Sequence, residues 1–225
     1  MFEKIISMFS EFAILSSTGE TILMVLLSTI FSYLIGLPLG IIMVITDKGG
    51  IAENKIINKI IAVIVNIGRS IPFIILLVTL IPLTRVIVGT SLGVRGMVVY
   101  LTIGAIPFVA RVVETSLKEV NSGVVDAAIT MGFTKLQIIT KVYLRESIPS
   151  LIRGISITAI MLVGYSAMSG EVGGCGIGNI AIVDGYYSSN IPLLILIIVL
   201  IVILVQLIQF IFDFTSKKLD KKNRI

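Results

Sequence analysis

Histidine and tryptophan are absent from this 225-residue chain, and cysteine occurs once. Without histidine the chain holds no His-ligated metal site, no Ser-His-Asp triad and no histidine proton shuttle. One cysteine excludes an internal disulfide framework and a thiolate metal cluster. Charge is also scarce: Asp, Glu, Lys and Arg make up 14% of the residues, whereas hydrophobic residues make up 56%. A soluble domain keeps a larger polar share. The formal net charge of +5 would suit a nucleic-acid partner. The positions of the basic residues give it a different meaning.

What the chain has instead is long apolar runs. Ser17-Thr18-Gly19-Glu20 reads as a capping box, and a charge-free run follows to Thr46, giving a first span over about 19–46. Such a run is long enough for the roughly 30 Å of hydrocarbon in a bilayer. Gly36, Pro38 and Gly40 sit late in it, where they kink the helix or let a neighbour approach closely. A polar link, Asp47–Lys59, leads to a second span over about 56–81 that contains Arg69 and Pro72. An arginine at mid-membrane costs on the order of 3 kcal/mol, so Arg69 is expected in an intramembrane ion pair or in a water-filled pathway. Further spans fit about 96–116, 150–169 and 192–212. Arg111, at the end of the third, either snorkels or pairs with Glu114. Ahead of the first span, the apolar spacing over about 2–15 suggests a short helix on the membrane surface.

Five spans put the two ends on opposite faces. With the 121–149 loop and the tail inside, that side collects Lys48, Lys55, Lys59, Arg111, Lys118, Lys135, Lys141, Arg145 and Arg153. It also takes the tail residues Lys217, Lys218, Lys221, Lys222 and Arg224, leaving Lys4, Arg85 and Arg95 outside. This positive-inside bias predicts an external N-terminus and a cytoplasmic C-terminus. It also accounts for the net charge without nucleic acid. The expected fold is an all-α polytopic membrane protein.

The stretch Asn121–Pro149 is the longest segment of mixed charge. It reads as two short helices joined at a glycine. Asn121 or Ser122 caps the first, with Asp126 near its positive end. Gly132 can take the left-handed conformation that ends a helix, and Thr134 with Gln137 fits a capping box for the next. Leu136, Ile139, Val142 and Tyr143 make an apolar face at helical spacing, and Pro149 limits the second helix. Such a face suits a groove on a partner, the chain's own helices or the lipid surface.

Two other stretches carry candidate chemistry. Tyr165, Ser166, Met168 and Ser169 lie at the outer part of the fourth span. Met168 can pack on a flexible apolar or thioether solute, and Tyr165 can supply a ring edge and a hydroxyl. The alternative is helix packing, with Gly164, Ala167 and Gly170 giving close approach. Glu171 is either a solvated rim residue or a partner for a solute amine. Gly170–Gly178 superficially resembles a nucleotide-binding glycine loop, but it follows no strand and precedes no phosphate-loop lysine. It is expected to be a flexible outer loop with tight turns.

Asp126-Ala127-Ala128, then Gly132 after three more residues, resembles the Glu-Ala-Ala-x3-Gly signature of ABC importer permeases. Two departures are evident: Asp126 stands for the usual Glu, and Val142-Tyr143-Leu144-Arg145 lacks the family's following proline. The longer runs Arg69–Leu77, Arg85–Gly93 and Val163–Met168 look like the methionine-importer branch of that family, and the likeness extends from about Gly19 to Phe212. Gly170-Glu171 departs from it, since a small neutral residue is expected in the acid's place.

The resemblance implies a single transmembrane permease domain over 1–225, with the 121–149 segment as a cytoplasmic coupling-helix hairpin between spans three and four. Asp126, Ala127, Ala128, Gly132, Leu136 and Ile139 would then contact an ATPase. The implied partners are a second copy of the chain, two cytoplasmic ABC ATPase subunits, an extracytoplasmic binding protein and membrane lipid. The cargo would be methionine, in both enantiomers, carried across the bacterial cytoplasmic membrane by a non-enzyme subunit. No cofactor or metal is expected on this chain, ATP and Mg residing on the ATPase. A permease for another small amino acid, an ATP-independent secondary transporter and a non-transporting membrane anchor are the competing readings.

Overall fold

The computed structural model describes residues 13–219, and within them every regular element is helical. The expected surface helix falls, up to residue 12, outside the described residues, as do tail residues Lys221, Lys222 and Arg224. Helix α1 is Ile14–Thr46, α2 Lys55–Ser70, α3 Phe73–Thr79, α4 Ile81–Val88 and α5 Gly93–Lys118. Helix α6 is Ser122–Thr130 and α7 Lys135–Gln137, which continues as a π-helix, Ile138–Tyr143, into α8, Leu144–Glu146. Then come α9, Ile148–Ser166, a 3₁₀ turn, Ala167–Val172, α10, Ile177–Asn179, a second π-helix, Ile180–Tyr187, and α11, Ile191–Leu219.

Four of these, α1, α5, α9 and α11, are each long and apolar enough to cross a membrane. A fifth crossing exists if α2 and α3 count together. The expected second span over 56–81 is therefore not one continuous helix. Pro72 has no N–H to donate and disfavours α geometry at Ile71, so α2 stops at Ser70 and Pro72 becomes the N-cap of α3. Pro38, by contrast, sits inside an unbroken α1. The expected capping box at Ser17 and Glu20 is not formed, because α1 already begins at Ile14 and Thr18 donates to the Ile14 carbonyl.

The chain divides into two compact units. One takes in the chain to Phe31, Ile71–Ala105 and Ala159–Ile208, and the other Ser32–Ser70, Ile106–Thr158 and the chain from Gln209. In the first, Ile14, Ile177, Ile180, Leu193 and Ile197 form a buried cluster. The Gly170–Gly178 stretch is built into this unit and carries the expected tight turns at Gly173, φ +69°, and Gly176, φ +88°. The Gly176 N–H donates to Glu20 and the Ile177 N–H to Thr21. A Cβ at Gly178 would lie 2.3 Å from Ala167 Cα, so glycine serves close packing there.

In the second unit, Met43, Val65 and Ala110 form the core between α1, α2 and α5. Of the two roles expected for Gly36 and Gly40, a kink or close approach, the structure shows close approach. A Cβ at Gly40 would fall 2.6 Å from Val113 Cβ and 2.7 Å from the Ala110 carbonyl oxygen. Outside these cores the long helices are covered with exposed apolar side chains. Ile195, Val202, Leu207 and Phe210 on α11 are each at least half exposed, as a lipid- or partner-facing surface requires.

Candidate functional site

The 121–149 hairpin folds through local signals that its sequence carries. The Asn121 side chain, and not Ser122, caps α6 by accepting the Gly123 N–H at 2.8 Å. At the other end Gly132 has φ +78°. Its N–H donates to Ile129 and that of Phe133 to Ala128, which is a Schellman ending. Thr134 and Gln137 form the reciprocal capping box at 3.3 and 2.9 Å. Ser147 and Pro149 mark the boundary with α9, where the Ser147 hydroxyl bonds the Tyr143 carbonyl.

Packing divides the hairpin into an inner and an outer face. Val125, Ala128, Ile138 and Val142 are buried together, with Ile51, Val120, Phe133 and Tyr143 against them. The expected stripe is thus shifted. Val142 and Tyr143 belong to it, but Leu136 is 70% exposed and Ile138 takes the inner place. The π-helix from Ile138 to Tyr143 widens the turn there, and Ile138 and Val142, four residues apart, supply its buried side. Asp126 and Ala127 are exposed and Ala128 is buried, so the signature residues divide between the two faces. Asp126 is the fifth residue of α6, beyond the first turn where the helix dipole acts most strongly. Burial, and then the Asp126 charge, raise the Tyr143 phenol above its ordinary range.

The outer face carries apolar groups that composition alone did not single out. Met131 is 68% exposed, and Ile129 and Val124 are also exposed. Met131 and Leu136 flank the Gly132 turn, where an added Cβ would meet nothing within 4 Å. Burying Met131 and Leu136 against a partner would contribute roughly 1–2 kcal/mol each, scaled from full burial. Beside the hairpin, a charge chain ties the end of α5 to the link that follows α1. Lys118 Nζ lies 2.7 Å from Asp47 and 2.9 Å from Glu114, which also pairs with Arg111. The Lys118 ammonium, and then the Lys48 N–H, hold the Asp47 carboxyl below its ordinary range.

The second candidate stretch lies at the end of α9. Tyr165 stacks its ring on Phe73, centroids 4.3 Å apart and planes 7° from parallel. Phe73 begins α3 directly after Pro72, so the proline break positions it for the stack. Nothing at the sequence level paired these rings, although both lie in the quoted runs. Ser166 is buried and donates to the Val163 carbonyl, so its hydroxyl is turned into the helix end. Met168 is 40% exposed, and Gly164, one turn earlier, has open space where a Cβ would stand. Close helix packing therefore operates at Gly170, beside Ile182 and Asn179, but not at Gly164. The Ser169 and Glu171 side chains lie outside what the structure describes.

Arg69 ends α2 and is exposed. Among the described residues the ion pairs join Arg111, Lys118, Asp47 and Glu114, and Arg69 is in none of them. It faces a cavity of about 320 Å³ shared with Arg111 and Arg153. No cluster of three or more acidic or thiol groups suited to a metal occurs among the described residues.

Comparison with known proteins agrees with this architecture. Residues 36–225 match the family described as binding-protein-dependent transport system inner membrane component. The probable D-methionine transport system permease protein MetI of Vibrio cholerae is 44% identical over 209 residues, 93% of this chain and 93% of its own. The D-methionine transport system permease protein MetI of Escherichia coli K12 is 50% identical over 151 residues, 67% of this chain and 70% of its own. A solved chain of the MetNI methionine ABC transporter, inward facing, superposes with a TM-score of 0.92 at 45% identity, covering 94% of this chain and 98% of that one. The chain is a multi-pass membrane protein and belongs to the binding-protein-dependent transport system inner membrane components, in the methionine-importer permease branch of the ABC importers.

Proposed function

We propose that this chain is the permease subunit of an ATP-driven importer that moves methionine, as both enantiomers, across the cytoplasmic membrane. The observation that carries the reading is the two-faced hairpin: its inner stripe is packed on its own chain, while Met131 and Leu136 stand exposed around the Gly132 turn. A turn of that kind fits the cleft of a cytoplasmic ATPase. Asp126, Ala127, Gly132, Leu136 and Ile139 form the contact set, with Ala128 packed beneath them on the inner face. Two copies of the chain assemble with two ATPase subunits and receive cargo from an extracytoplasmic binding protein. The helices make five crossings, with α2 and α3 together forming the second, the N-terminus outside and the C-terminus inside.

ATP and Mg act on the partner subunits, and no residue of this chain takes part in the hydrolysis. ATP draws the ATPase subunits together, their clefts carry the hairpins, and the permease halves swing open to the outside. A swing in populations from 1:99 to 99:1 needs a differential affinity of about 5.5 kcal/mol. Tyr165 and Met168 line the pathway, with Met168 and the open surface at Gly164 offering a polarisable, uncrowded wall to a thioether side chain. Phe73 holds the Tyr165 ring in place, and Ser166 secures the helix end.

The test is uptake of a labelled-solute panel by the assembled complex in proteoliposomes. Methionine should be taken up in preference to leucine, histidine and glutamine, and only with ATP. Preference for another amino acid would replace the cargo, and uptake by the permease alone on an ion gradient would replace the mechanism.

A further inference from the structure

Arg69 at the end of α2, Arg111 in α5 and Arg153 in α9 line one cavity of about 320 Å³, near the lower size limit of small-molecule sites. Its wall also carries Thr115, whose hydroxyl donates to the Arg111 carbonyl, and Ser150, whose hydroxyl donates to Ser116. Glu119 is the acid on that wall, and Glu114 is turned to Arg111 and Lys118. Arg111 is thus largely balanced, whereas Arg69 and Arg153 enter none of the ion pairs formed among the described residues. Two guanidinium groups outside any ion pair on one cavity make a surface selective for an oxyanion, because the planar donor fork matches a carboxylate or phosphate. The cavity runs along α5 from Phe108 to Glu119, from the middle of that helix to just past its end.

We propose that Arg69 and Arg153, supported by Arg111, form an oxyanion-binding site. The oxyanion has two sources of the same chemistry: the carboxylate of an amino acid leaving toward the cytoplasm, and the phosphate of an acidic phospholipid of the inner leaflet. Basic cavities between membrane helices on that side attract such headgroups. The proposal rests on the importer reading for the first source and on the inside placement of the hairpin for both.

The experiment compares the assembled transporter with Arg69→Gln/Arg153→Gln and Arg69→Lys/Arg153→Lys variants, with co-purification of the ATPase reporting that each folds. Each is reconstituted in neutral phosphatidylcholine, where ATP-driven methionine uptake is measured. Each is also purified with phosphatidylglycerol, and bound lipid is counted by native mass spectrometry. A carboxylate site predicts at least a tenfold loss of uptake in the Gln variant in neutral lipid, with partial recovery in the Lys variant, which keeps charge but not the fork. A phosphate site predicts loss of bound phosphatidylglycerol in the Gln variant with uptake in neutral lipid unaffected. Wild-type uptake and wild-type lipid retention in a correctly assembled Gln variant overturn the proposal. Absence of methionine uptake in the unaltered complex fails the importer reading, and the lipid count still decides this one.

Discussion

Replacing Gly132 tests the hairpin most sharply, because the structure separates its two possible burdens. There is room for a side chain, since an added Cβ meets nothing within 4 Å, but φ is +78°. The cost of Gly132→Ala is therefore backbone strain alone, about 1–2 kcal/mol for a left-handed L-residue. That magnitude shifts a two-state population by a factor of about 5–30. A β-branched residue is worse in this conformation, and Asn tolerates it, so the expected order of function is Gly, Asn, Ala, Val. Gly89 supplies a control for strain: its φ is +77°, the space around it is equally open, and it ends α4 far along the chain from the hairpin. The assay is recovery of the ATPase with the tagged permease, normalised to permease in the membrane, together with ATP-driven uptake. Gly132→Ala should lower both by about 5–30-fold, and Gly89→Ala should leave recovery of the ATPase unchanged. Equal losses in the two variants, or full function of Gly132→Val, would refute the assignment of the turn to coupling.

Other expectations follow from single contacts. Met168→Arg should block uptake while the complex assembles normally, and unchanged methionine uptake would remove Met168 from the pathway. Gly40→Ala should destabilise the detergent-solubilised protein by about 1–3 kcal/mol, because the new carbon overlaps the Ala110 carbonyl as well as Val113. Gly19→Ala, with nothing within 4 Å and a place inside α1, should instead raise thermal stability slightly. Asp47→Asn should reveal the charge chain through pH. The Asp47 pKa is lowered in the folded protein, so its contribution is present above the ordinary aspartate pKa and is lost as pH falls through the lower folded value. The stability gap between wild type and Asp47→Asn should be open at pH 7 and close below about pH 4. A gap that persists into acid would remove the Lys118 pairing as its cause.

The features that could be read from sequence are those fixed by neighbours in the chain. Asn121, Gly132, Thr134 and Gln137 act within a turn of their own positions, and the cap, the Schellman ending and the capping box all formed. Gly36 and Gly40 left two readings open, a kink or close approach, and the neighbouring Val109, Ala110 and Val113 decide for close approach. What failed depended on distant partners or on a departure from α geometry. Leu136 lies outward and Ile138 inward, a choice set by packing against Val125 and Ala128 of α6. Glu20 left its expected cap to bond the Gly176 N–H, and the glycines near it became packing residues because Thr21, Met24 and Ala167 come within reach. The break at Pro72 was absent from the expected 56–81 span, and only the folded chain brings Phe73 against Tyr165.

The central claim is that this chain works on ATP held by another subunit. The most direct test is to co-express it with its cytoplasmic ATPase, purify the assembly, and measure ATP hydrolysis with and without methionine-loaded binding protein. The account predicts a stable complex whose hydrolysis rises with the loaded binding protein and does not rise when Gly132 is replaced by Val. A permease that purifies alone, or hydrolysis indifferent to the binding protein, would contradict it.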